Sequence, residues 1–394
     1  MKRINFFESN TKPAIGFFLY MLILPFYWSN FSFLIIVAVS ALAPHGHNGK
    51  INKRIGRVNL SVIVFATIFA ISILASDTIS TSLRFSAAWP SCLIIYYVVA
   101  TQLDYQKDWQ LFCLSFSLCA FFSSLLCILG FYFNYGMSPS DTIDGIRSPL
   151  FIVPNDTIFL SLVAPLSISI LTTSKQILIR LVAAASILTS LVVVIAVESR
   201  TALIVAIVCV AAYIWNYRSR HIVIYLSALI AAIVTVDAIL GFPIYQKLPV
   251  IPSSRIPLLH SSLVMWEASP LIGGGPFTFA AHYQRFLEGV TYPSWVVVDT
   301  REIPWPHNLY LELLSGSGVL GLASFLSIIW FALSKLRSLK NQDGHSRVIM
   351  KALVALILGF LAAAVVETTL LRIWVLVLFF AIIGFIANME LKRI

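Results

Sequence analysis

Apolar residues in this chain come in blocks of about 20, the length one helix needs to cross a bilayer, separated by short polar segments. The pattern predicts spans at about 13–28, 30–44, 58–76, 85–103, 110–134, 151–173, 176–197, 200–217, 221–241, 307–334, 350–367 and 371–389. That is an all-α, polytopic membrane helix bundle of about twelve transmembrane helices with both termini on one side. A single long polar interruption, 242–306, divides spans 1–9 (1–241) from spans 10–12 (307–394). Within it Arg255, Leu259, Leu263 and Trp266 fall at the spacing of one helical face, which predicts an amphipathic helix over about 254–269 lying on the bundle. The run Gly273-Gly274-Gly275-Pro276 then allows a sharp turn and close backbone approach. A loop of this length with short helices of its own is usually functional.

Composition agrees. Hydrophobic residues make up 59% and charged residues 11% of the chain, against about 25% charged in soluble domains. The net charge of +10 does not read as nucleic-acid binding, because the basic residues sit in short clusters between apolar runs rather than on an aromatic-rich face. With the N-terminus inside, 19 of the 27 basic residues fall on inner segments, as the positive-inside rule requires. The long loop is then outside, and the outer arginines need another account than topology. The five cysteines (Cys92, Cys113, Cys119, Cys127, Cys209) all lie in apolar runs and read as small packing residues, neither disulfide-bonded nor metal-binding. The basic N-terminus resembles a signal peptide, but no small-residue cleavage site follows, so a first transmembrane helix is expected.

Candidate chemistry lies on the outer side. Pro304 and Pro306 bias the chain towards extended backbone, and Leu309, Leu313 and Leu314 then repeat at helical spacing, so His307 falls at a helix mouth at the membrane surface. An imidazole there is a candidate general base; the plainer reading is an interfacial histidine without chemistry. Glu198-Ser199-Arg200-Thr201 puts a guanidinium at a helix entrance, where it either snorkels to headgroups or binds a phosphate. Arg255 begins the loop helix and is either solvated or a second phosphate ligand. Two arginines and a histidine on one side suit transfer from a diphosphate leaving group. No Asp-x-Asp cluster stands ready to hold a metal, so neither metal nor other cofactor is expected. Accessory candidates are Arg147, Arg285, Arg301, Glu302, Asn308, Glu312 and Arg372, with Asp144, Asp156 and Glu367 also outside. His260 and His282 rival His307.

Three blocks carry a resemblance: Ser-Arg-Thr-Ala-Leu at 199–203; Arg255…Trp266…Pro270-Leu271-Ile272-Gly273-Gly274-Gly275-Pro276-Phe277; and His307-Asn308-x-x-Leu311-Glu312 followed by Gly318-x-x-Gly321. Through them, and through its layout of spans, the chain resembles the O-antigen ligase and polymerase superfamily of bacterial envelope membrane proteins. The resemblance implies a multi-pass protein of the bacterial inner membrane with cytoplasmic termini and a periplasmic active site. It implies an undecaprenyl-pyrophosphate-linked glycan as donor, transferred without metal to an acceptor hydroxyl. Arg200 and Arg255 would neutralise the pyrophosphate and His307 would activate the acceptor. The acceptor is lipid A-core for a ligase, the next lipid-linked repeat for a polymerase, and a Ser or Thr for a protein O-oligosaccharyltransferase. Size and the single dominant loop favour a ligase. A lipid-linked glycan transporter is the alternative from another class. Spans almost free of charge, with Asp237 the main exception, weigh against it, as does the lack of an internal repeat.

Overall fold

The computed structural model describes residues 12–23, 56–132, 157–215, 254–288, 290–298, 305–338 and 344–391. Among these residues every regular element is a helix: α1 (Lys12–Ile23), α2 (Arg57–Leu74), α3 (Ile79–Ser86), α4 (Trp89–Gln102), α5 (Trp109–Tyr132), α6 (Ile158–Thr173), α7 (Ile177–Ala196), α8 (Arg200–Ile214), α9 (Arg255–Ala268), α10 (Phe279–Leu287), α11 (Leu309–Arg337), α12 (Gly344–Val366) and α13 (Ile373–Leu391), with a 3₁₀ turn at Thr369–Leu371 before the last. Six of them, α2, α5, α7, α11, α12 and α13, are long and apolar enough to cross a membrane; α6 and α8 are apolar but shorter. The chain is thus a polytopic helical membrane protein. The spans expected at 30–44 and 221–241 lie outside the described residues.

Two of the expected spans are not regular helices. The stretch 85–103 is not one straight span: α3 and α4 meet at a 41° bend, with Pro90 near the start of α4, where a missing N–H costs nothing. Nor is α11 continuous, because Gly318 has φ 65° and ψ −171° inside it.

The helix α13 is apolar on all sides and sits deep in the bundle against α4, α2, α6 and α11, as such a helix must. Its few polar groups close off other helix ends. Asn388 donates to the carbonyls of Ala100 (2.9 Å) and Leu103 (2.7 Å) at the end of α4. Glu390 accepts the first N–H groups of α2, from Arg57 at 3.0 Å and Val58 at 3.1 Å, placing a carboxylate at a positive helix terminus. Between these helices Phe65, Phe69, Trp89, Phe325, Phe379 and Phe380 form an aromatic core. All five cysteines are buried and unbridged.

The loop is locked into the bundle through the break in α11. A helix interrupted in an apolar region leaves N–H and C=O groups that must find partners. Here the glycine-rich segment supplies them. Gly274 N–H donates to the Ser315 carbonyl and Gly275 N–H to the Gly316 carbonyl, each at 2.9 Å, while Val319 and Leu320 donate to the Pro270 and Leu271 carbonyls at 2.9 and 3.2 Å. Gly273 (φ 71°) and Gly318 (φ 65°) are left-handed, and a Cβ on either would overlap backbone atoms of the opposing segment. Ser76 and Ser82 hold the same segment from below, donating to the Gly274 (2.9 Å) and Pro276 (2.7 Å) carbonyls. Phe277 then drops into the aromatic core beside Phe69 and Trp89.

The helix expected at 254–269 is α9, but its buried face is turned by about one residue. Leu258, Ser261, Ser262 and Met265 face inward, while Leu263 is 41% exposed. Small serines let α9 lie close on α11, and close approach rather than apolarity decides the face. A second loop helix, α10, completes a small separate core of Leu258, Met265, Phe279 and Tyr283.

Candidate functional site

His307 precedes α11 in a left-handed backbone conformation (φ 49°), a strain of about 1–2 kcal/mol for a residue with a side chain. Its neighbours enforce it. Asn308 caps α11 by accepting the Leu311 N–H at 3.0 Å, and its amide donates to the Val365 carbonyl at 2.9 Å. Two residues beyond Val365, Glu367 meets the ring: His307 Nδ1 and Glu367 Oε2 are 3.2 Å apart. Consecutive residues before α11 are thus pinned to the end of α12, and Tyr310 adds a hydrogen bond to the Leu361 carbonyl at 3.1 Å. Trp305 packs edge-on against Phe85 of α3, fixing the approach to the histidine.

Glu367 is the centre of the cluster. Its side chain is 1% exposed, its Oε1 faces Arg372 Nη2 at 3.3 Å, and the Thr368 N–H donates to the same oxygen at 3.1 Å. Burial alone would raise this carboxyl. The hydrogen bond with His307, the charges of Arg372 and His307, and the Thr368 N–H outweigh it and hold the group at about 2. An ionised Glu367 accepts the proton of Nδ1, so whenever the ring is neutral its lone pair lies on Nε2.

Of the two arginines singled out in the sequence, Arg255 lies within electrostatic reach of this carboxylate and of Arg200. Arg255, at the start of α9, is lowered by burial; the charge of Glu367 opposes that, and the charge of Arg200 adds to it. Arg200 opens α8, where Ser199 caps the helix by accepting the Ala202 N–H at 3.3 Å. Glu198 before it is left-handed (φ 58°), as is Phe277 (φ 60°) after the glycine run. Each of the three sequence blocks therefore contains or directly adjoins a strained non-glycine residue, the kind of backbone that persists where the surroundings over-determine it.

The accessory candidates divide. Arg372 joins the cluster. Asn308 caps a helix. Glu312 is buried in the first turn of α11 and accepts the Phe277 N–H at 2.8 Å, so it staples the glycine block to the histidine block. Arg285 is exposed in the last turn of α10, with no contact to the cluster. Arg147, Arg301 and Glu302, like Asp144 and Asp156, lie outside the described residues. The rival histidines are engaged elsewhere: His260 Nδ1 with the Tyr292 hydroxyl at 3.0 Å, and His282 with Asp77 at 3.2 Å. The residue that sequence reasoning undervalued is Glu367, one carboxylate among several outside. Its signal was a lone acid directly after a span, five residues before an arginine.

Residues 184–326 match a family model described as O-antigen ligase. The matched stretch takes in Arg200, Arg255, the glycine block, His307 and Glu312, and it supports the resemblance drawn from the three sequence blocks. Glu367 and Arg372 lie beyond it. The match covers 143 of the 394 residues and marks a similarity to that family over this stretch. No curated protein matches the chain.

Proposed function

We propose that the chain is a metal-independent, inverting glycosyltransferase of the bacterial inner membrane, moving a glycan from undecaprenyl pyrophosphate onto a sugar hydroxyl of lipid A-core at the periplasmic face. The observation that carries this reading is one buried carboxylate, Glu367, touching the candidate base and sharing its field with Arg255, which in turn senses Arg200. Nε2 of His307 takes the proton of the acceptor hydroxyl as its oxygen attacks the anomeric carbon. The bond from that carbon to the pyrophosphate oxygen breaks on the opposite face, and its electron pair leaves with the isoprenoid pyrophosphate. Arg200 and Arg255 meet the developing charge, for which the guanidinium fork is suited. Glu367 fixes the tautomer of the ring and stabilises the imidazolium, the role a carboxylate plays beside a histidine base in nucleophilic triads.

Deleting the gene and resolving the envelope polysaccharide on a gel tests the acceptor. The ligase reading expects loss of long chains from lipid A, with lipid-linked polymer accumulating. A core carrying a single repeat would mean a polymerase, and unchanged lipopolysaccharide with an unglycosylated protein substrate would mean a protein O-oligosaccharyltransferase.

A further inference from the structure

We propose that Arg372 is a positioning residue for this transfer, acting on His307 only through Glu367; the inference rests on His307 being the base. Glu367 uses its two oxygens separately. Oε2 takes the imidazole at 3.2 Å, and Oε1 takes Arg372 at 3.3 Å together with the Thr368 N–H at 3.1 Å. The arginine is held rigidly. Its own N–H donates to the Thr369 carbonyl at 3.1 Å, and its carbonyl accepts the Leu376 N–H at 2.8 Å as α13 begins. Glu367 and Arg372 therefore flank one short turn between two buried helices, and their separation is set by the bundle.

The chemistry of burial gives Arg372 its task. A carboxylate withdrawn from water tends to take up a proton unless a cation holds it ionised. A protonated Glu367 would present an O–H to Nδ1 and drive the ring proton to Nε2, the nitrogen that must be bare to act as base. The charged groups facing Glu367 are His307 before α11, Arg372 at the start of α13 and Arg255 from α9. Arg200 acts on Arg255 from the start of α8, with Glu198 two residues ahead of it. Arg372 contacts the oxygen that His307 does not use.

The full-length chain in phospholipid nanodiscs is assayed with undecaprenyl-pyrophosphate glycan and lipid A-core, both extracted from cells lacking the gene. Arg372→Gln is expected to lower kcat about tenfold while leaving the donor KM within about twofold, and to move the acid limb of kcat/KM up by roughly one pH unit. Both effects of the loss act in that direction: the freed Glu367 charge holds a proton on the imidazole more firmly, and burial raises Glu367 itself. Arg372→Lys, which keeps the charge, should restore most of the rate and the limb. In a Glu367→Gln background, adding Arg372→Gln should change the rate less than about twofold, because the two act as one unit.

A donor KM raised about tenfold with the limb unmoved would make Arg372 a pyrophosphate ligand and overturn the proposal, as would additive losses in the double variant. Should Arg372→Gln fail to insert, Arg372→Lys in the Glu367→Gln background decides. A rate equal to that of Glu367→Gln alone supports the proposal, and a further drop of about tenfold overturns it. An inactive His307→Ala beside an unaltered Arg372→Gln profile defeats this inference alone. Activity surviving in His307→Ala defeats the reading beneath it and the inference with it.

Discussion

At the scale of single residues, the site joins a mostly buried base, 14% of its side chain exposed, to a fully buried carboxylate. Glu367, held at about 2, stays ionised across any working pH, so it adds no inflection of its own near neutrality. A pH–rate profile of the unaltered chain showing two acid inflections in that range would contradict the assignment. The arginines act differently. Replacing Arg255 by Lys keeps the charge but loses the fork, and one charge-assisted hydrogen bond is worth about 1.5–3 kcal/mol. Arg255→Lys is therefore expected to lower kcat/KM by roughly 10- to 100-fold, read from initial rates with lipid-linked donor.

At the scale of elements, the site is built by two segments threaded through each other. The glycine run closes the break in α11, Glu312 staples Phe277, and α9 rests on both. An alanine at Gly273 would overlap the Gly316 backbone at a left-handed position, so Gly273→Ala should destabilise the protein by more than about 1 kcal/mol. Gly130→Ala, where nothing lies near an added Cβ, should melt like the parent. Equal melting of both variants in detergent would remove the interlock. The long spans were legible in the sequence because twenty apolar residues leave a backbone few choices; α2, α5, α7 and α13 begin and end within a few residues of expectation. The break in α11 was not, since Gly318 reads as an ordinary small residue of a membrane helix until its partner segment is known. The inward face of α9 was missed because Ser261 and Ser262 pack by closeness, which hydropathy does not weigh. Glu367 was visible as a residue but not as a partner, because sixty positions separate it from His307.

At the scale of the whole molecule, the starts of α8, α9, α11 and α13 and the end of α12 bring Arg200, Arg255, His307, Arg372 and Glu367 to one end of the bundle. The native cysteines are buried, so introduced ones can report sidedness. Trp295→Cys, exposed in the loop, should label with an impermeant maleimide in spheroplasts, whereas Lys107→Cys, in the turn between α4 and α5, should label only after permeabilisation. Labelling of both from the same side would break the topology on which a periplasmic site depends. The most direct test of the proposed chemistry is transfer by His307→Ala in reconstituted membranes. General base catalysis contributes about 10²–10⁴-fold, so this variant, inserted at normal levels, should lose at least about a hundredfold in transfer rate; near-normal transfer would contradict the assignment of His307 as the base.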